Sequence, residues 1–109
     1  MIIDFSKLDR NLIDNFKGGE KRFDVRWHVD DNNRIMLGHL EPGASIGMHT
    51  HDTSCEMIYI LSGRGTALID GGSESVEAGQ CHYCPKGSTH SLVNSGSEEL
   101  TFFAVVPQQ

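Results

Sequence analysis

The chain has 109 residues, of which 38% are hydrophobic and 22% charged, with a formal net charge of −6. That length supports one domain with one core and excludes two. With 15 acidic against 9 basic residues and no Lys/Arg cluster, the chain lacks the basic face that nucleic-acid binding uses, and no apolar run approaches the roughly 20 residues of a membrane span. Met1-Ile2-Ile3-Asp4-Phe5 has neither the basic n-region nor the apolar h-region of a signal peptide. The expected location is therefore the cytoplasm, and the odd count of three cysteines (Cys55, Cys81, Cys84) reads as free thiols.

In chain order, Ser6 is placed to cap a short N-terminal helix, with Asp9 at the capping-box position. Leu8, Leu12, Ile13 and Phe16 recur at helical spacing, and Gly18-Gly19 ends the pattern. The period then becomes two. Phe23, Val25, Trp27 and Val29 alternate with Asp24, Arg26 and His28, as in a half-buried strand. Asp31-Asn32-Asn33 is a turn, residues 34–40 are the next strand, and Glu41-Pro42-Gly43 stops it. Further strands are expected at 46–51, 56–61, 65–69, 73–76, 80–84, 90–94 and 100–106. Asp70-Gly71-Gly72 supplies the residues that tolerate φ > 0 in a hairpin turn. About nine short strands with no long helix specify an antiparallel barrel or sandwich, and such a barrel can hold a metal or small ligand in its mouth.

The chemistry concentrates between Gly43 and His90. His49 and His51, at i and i+2 of a strand, point to one face with Cα atoms about 6.5–7 Å apart, so both imidazoles can reach one ion. Glu56 follows, and His90 stands just after Pro85 and Gly87. Three imidazoles and a carboxylate suit a first-row transition metal, and four ligands on a six-coordinate ion leave two positions free. Cys55 precedes Glu56 and should point away from the ion. Cys81 and Cys84, at i and i+3 of a strand, face opposite sides and are poorly placed for chelation or a disulfide.

Gly43, His49, His51, Glu56 and Gly63 stand at G-x5-H-x-H-x4-E-x6-G, and Gly79, Pro85, Gly87, His90 and Asn94 at G-x5-P-x-G-x2-H-x3-N. These blocks, at 43–63 and 79–94, resemble the two motifs of the cupin superfamily, complete and in order, with the short spacing of compact microbial members. The resemblance implies a single domain over 1–109, an all-β, antiparallel jelly-roll-like β-barrel with a short N-terminal helix. It implies one divalent transition metal (Fe, Mn, Ni, Co or Zn) held by His49, His51, Glu56 and His90. Gly43, Gly63, Gly79 and Gly87 would hold turns, Pro85 would fix the turn into the last ligand strand, and Asn94 would be structural.

Outside the motifs, His28 and His39 read as exposed or satisfied histidines. His82 reads in the same way or, with Tyr83 beside Pro85, as a contact to a ligand residue or to substrate; His82 and Tyr83 are also the candidates for acid–base catalysis. Arg26 and Arg34 are exposed strand residues or contacts for an anionic substrate. The expected function is that of a small metalloenzyme of the dioxygenase, lyase/decarboxylase or isomerase type, acting on a small polar molecule in the barrel mouth. The alternative is a non-catalytic module that binds or senses a small molecule. A homodimer is expected, with Phe23–Val29 and Leu100–Val106 as the strands that pair sheets.

Overall fold

The structure, a computed structural model, describes residues 1–109. Ten strands run as β1 (Asn11–Asp14), β2 (Arg22–Val29), β3 (Asn33–Leu40), β4 (Ser45–Thr50), β5 (Glu56–Ser62), β6 (Arg64–Ile69), β7 (Gly72–Glu77), β8 (Cys81–Cys84), β9 (Thr89–Val93) and β10 (Leu100–Pro107). They form two antiparallel sheets, β1-β2-β3-β10-β5-β8 and β4-β9-β6-β7. The sheets face each other as a jelly-roll barrel, and the nine strands expected from alternation are all present. The β6–β7 hairpin closes at Ile69↔Gly72. Asp70 (φ 46) and Gly71 (φ 83) take the left-handed pair that a two-residue hairpin loop demands.

The N-terminal segment departs from the helix expected for it. Phe5–Lys7 is one 3-10 turn, capped by Asp4 rather than Ser6: the Ser6 N–H donates to Asp4 Oδ1 at 3.0 Å. Leu12 and Ile13 lie in β1, paired with Asp24 and Phe23 of β2, and Phe16–Gly18 is a second 3-10 turn. An isolated helix of about ten residues is marginal in water. The free edge of β2 instead offers a row of backbone donors and acceptors. Ile13 and Phe16 still reach the core, while Leu12 is left exposed. Arg10 anchors the segment with two bonds to the Asp24 carboxylate, at 3.0 and 3.1 Å.

Alternation dictates the interior. Phe23, Val25, Met36, Leu40, Ile58, Ile60, Leu100, Phe102, Ala104 and Val106 from the larger sheet meet Ile46, Ala67, Val76 and Leu92 from the smaller one. Phe23 stacks on Phe102 with ring centroids 6.0 Å apart. Phe23 and Val25 are thus consumed by the chain's own core and present nothing outward. The outward positions of the larger sheet carry Leu37, Phe103, Val105, Met57, Tyr59, Leu61 and Tyr83. Phe5 folds over Phe103 (6.2 Å between centroids), whereas Met57, Tyr59, Leu61 and Tyr83 remain exposed.

Two further constraints position the site. The segment from Phe16 to Glu20 crosses β4 at backbone contact distance: a Cβ on Gly47 would stand 2.6 Å from the Gly19 nitrogen and closer still to the Lys17 carbonyl. The Glu20 N–H donates to Ser45 Oγ at 2.8 Å and the Ser45 N–H to the Glu20 carbonyl at 3.0 Å, locking this strap down. Asn94 is buried and ties three segments together. Its Nδ2 donates to the Leu40 and Glu98 carbonyls (2.7 and 2.8 Å), and its Oδ1 accepts from the Gly96 N–H at 3.0 Å.

Candidate metal centre

His49 lies on β4 directly opposite His90 on β9. His51 follows one residue beyond β4, yet its backbone is held on both sides. Its N–H donates to the Ser88 carbonyl at 3.1 Å, and its carbonyl accepts from the Gly87 N–H at 2.7 Å. The Pro85–Gly87 turn, with Gly87 at φ +90, thus grips the second histidine as well as leading into the last. Glu56 opens β5 and shares the inward face of Ile58 and Ile60, so strand parity alone buries it, to 4% exposure.

These four side chains converge, with one potential ligand atom from each within 4.8 Å of every other. His90 Nε2 stands 2.9 Å from His51 Nε2, 3.2 Å from His49 Nε2 and 2.9 Å from Glu56 Oε1. Glu56 Oε1 is 3.2 Å from His51 Nε2 and 3.8 Å from His49 Nε2. Ligand atoms about 2.1 Å from one ion stand about 3.0 Å apart when cis on an octahedron and about 3.4 Å apart at tetrahedral corners. The observed spacings bracket both.

Proton placement makes the same demand. His49 Nδ1 is 2.7 Å from the Gly47 carbonyl, an acceptor only, so Nδ1 carries the proton and Nε2 a lone pair. His51 Nδ1 meets Ser54 Oγ at 2.9 Å, and His90 Nδ1 meets His82 Nε2 at 3.0 Å, which leaves both Nε2 atoms turned inward. Three imidazole nitrogens and a carboxylate aimed at one point are a set of acceptors that a cation satisfies. Burial would raise the Glu56 carboxyl, but in the metal-free protein any proton taken up on an inward-facing Nε2 of His49, His51 or His90 is donated to it, which outweighs burial and holds Glu56 well below its ordinary 4.5. Burial lowers His90 below the usual 6.5, which keeps it the neutral ligand a metal requires.

The cluster lies at the floor of a cavity of about 310 Å³ in the barrel mouth. Met36, Val106 and Phe16 form apolar wall, and Lys17, Arg34 and Gln108 bring polar groups. Arg34 lies over the Trp27 ring at 5.3 Å, and its buried Nε has no hydrogen-bond partner. Arg26, by contrast, is turned to the Phe5 and Leu8 carbonyls and serves the N-terminal segment. His28 pairs with Asp30 and His39 with Glu99 on the outside.

Neither His82 nor Tyr83 lines this cavity. Tyr83 is 53% exposed on the outer face of the larger sheet, while His82 is sealed behind His90. Cys81 is exposed, Cys55 and Cys84 are buried, all three are free, and none joins the cluster. Two residues that sequence reasoning passed over stand behind the cluster. Ser54 meets His51, and Glu74 Oε1 lies 2.6 Å from His82 Nδ1. The x4 gap between His51 and Glu56 gave no reason to single out Ser54. Glu74 contacts His82 across the two sheet edges, where no strand pairing announces it.

Comparison with known proteins agrees with this geometry. A family model described as "Cupin domain" matches residues 36–106. The chain is 30% identical to the "Oxalate-binding protein" of Thermotoga maritima over 97% of its own length and 93% of that relative. A crystal structure of a predicted oxalate decarboxylase from the same organism superposes with a TM-score of 0.93, at 28% identity and 100% coverage of both chains. A polyketide cyclase from Streptomyces resistomycificus, 21% identical, gives a TM-score of 0.80 over 100% of this chain and 80% of its own, a likeness of fold.

Proposed function

The chain belongs to the cupin domain family, and from that premise we propose that it is a divalent transition-metal protein that takes a small organic carboxylate into the barrel mouth and acts on it as a metalloenzyme. The carrying observation is the convergence of His49, His51, Glu56 and His90 as four acceptors at the floor of a cavity. The donor set has no thiolate and suits Fe, Mn, Ni, Co or Zn. When bound, such an ion supplies Lewis-acid polarisation of a carboxylate or carbonyl, with two of six positions left for small ligands.

The protein's own groups complete the reading. Arg34, held over the Trp27 ring, lines the same cavity, and a guanidinium there supplies the positive charge that a carboxylate pairs with. Met36, Val106 and Phe16 keep water from one side of it. The name of the Thermotoga maritima relative supports a carboxylate of oxalate's class, and the reaction class is lyase/decarboxylase before dioxygenase or isomerase. One observation favours the second reading, a non-catalytic binder: His82 and Tyr83 both stand outside the cavity. The three free thiols support a reducing, cytoplasmic location.

The test is to load metal-free protein with each of the five ions and titrate oxalate and its longer homologues calorimetrically, following product formation in parallel. One ion per chain, carboxylate binding that requires the ion, and weaker binding by Arg34→Gln are expected. No stoichiometric metal after reconstitution, or equal carboxylate binding without metal, overturns the proposal. Binding without turnover selects the non-catalytic reading.

A further inference from the structure

His90 does not end at the metal cluster. Its Nδ1 lies 3.0 Å from His82 Nε2, with the two ring planes inclined 20° to each other. His82 Nδ1 in turn lies 2.6 Å from Glu74 Oε1. The His82 side chain is fully buried, whereas Glu74 is half-exposed on β7. β7 and β8 are each an edge strand of its sheet, so this contact ties one pair of sheet edges together.

Only one placement of protons lets this chain coexist with a metal. His90 Nε2 must keep its lone pair for the ion, so His90 Nδ1 carries the proton and donates it. His82 Nε2 must accept, so the His82 proton is on Nδ1 and is donated to Glu74. A proton on His82 Nε2 would force His90 to present N–H inward, among acceptors. The carboxylate is the one member of the chain that can only accept, and so it sets the direction of the whole row.

We infer that Glu74 and His82 are positioning residues that fix the Nδ1–H tautomer and ring orientation of His90, and thereby set the affinity of the metal centre from the protein surface. The inference rests on the metal reading proposed above. Partners of this kind behind a ligating histidine are worth about 10- to 100-fold in metal affinity.

The test measures cobalt(II) and zinc(II) affinity by chelator competition, together with the ¹⁵N shifts of the histidine rings in metal-free and zinc-loaded protein. Glu74→Ala is expected to weaken both metals by about 10-fold or more, a loss larger than the fall in the metal-free unfolding midpoint that follows from leaving the buried His82 Nδ1–H without its partner. Glu74→Gln, whose Oε1 still accepts from His82, should restore most of the affinity, and His82→Phe should behave as Glu74→Ala. In the wild type, His82 and His90 should both carry their proton on Nδ1. Glu74→Ala binding within about twofold of wild type, a His82 proton on Nε2, or a fall in affinity matched by a fall in the metal-free midpoint overturns the inference. A wild-type protein that binds neither metal overturns the metal reading instead.

Discussion

Gly47→Ala tests whether the strap from Phe16 to Glu20 is part of the site or only laid over it. The added methyl would face backbone, the Lys17 carbonyl and the Gly19 nitrogen, which cannot move aside as a side-chain tip can. Overpacking of this kind costs about 1–3 kcal/mol. Relief by lifting the strap would break two hydrogen bonds to Ser45 at about 1 kcal/mol each. It would also withdraw Phe16 from Phe23, 5.1 Å away, at a further cost of about 1 kcal/mol or more. Both routes converge on about 3 kcal/mol, or on the order of 12 °C for a domain of this size. Urea and thermal unfolding measure the loss directly. Metal affinity should fall as well, because the Gly47 carbonyl accepts the His49 Nδ1–H at 2.7 Å. Met48→Ala, one residue on and 52% exposed, is the control and should stay within about 0.5 kcal/mol of wild type. A Gly47→Ala midpoint indistinguishable from that of Met48→Ala refutes the reasoning.

Other outcomes can be stated from the same geometry. Asn94→Ala strands two carbonyls and one N–H at the junction of three segments, and should cost about 2–4 kcal/mol in denaturant unfolding; a loss below about 0.5 kcal/mol would show the Asn94 bonds to be idle. In metal-free protein His90 is held below its ordinary 6.5 and Glu56 below 4.5. Both groups therefore bind more protons unfolded than folded as pH falls, and the stability they contribute is present above those values. It should drain away below about pH 6.5 and further below about 4.5; a melting midpoint that rises as pH falls through that window contradicts the assignment. Met57, Tyr59, Leu61 and Tyr83 form an exposed apolar stretch on β5 and β8 that a second copy is expected to cover. Light scattering should give twice the 12.0 kDa of the chain, and a clean monomer, unchanged by Tyr59→Lys, refutes the dimer.

The strands were legible because half-buried antiparallel strands write their period into the chain, and the paired left-handed residues at Asp70-Gly71 mark their own turn. The cluster of His49, His51, Glu56 and His90 was legible because each member sits in a motif of fixed spacing. The N-terminal segment was not, since Leu8, Leu12, Ile13 and Phe16 fit a helix locally and only the distant edge of β2 decides otherwise. The same holds for Gly19 and Gly47, whose smallness answers to each other across the fold. His82 stood out as a possible contact to a ligand residue or to substrate, but the sequence could not choose between them, because its partner Glu74 lies on a strand it never pairs with. Phe23 and Val25, two positions of the Phe23–Val29 strand that with Leu100–Val106 is expected to pair sheets in a dimer, lie in the chain's own core and show the converse limit: alternation reveals that one face is apolar, not which body covers it.

His49, His51 and His90 belong to the smaller sheet and its flanking turn, while Glu56 comes from the larger. An ion seated among them would be a rivet through both walls of the barrel. Its loss through the mouth would leave the two walls without that tie, so metal occupancy should show as slower hydrogen exchange in both sheets at once rather than as the stiffening of one side chain.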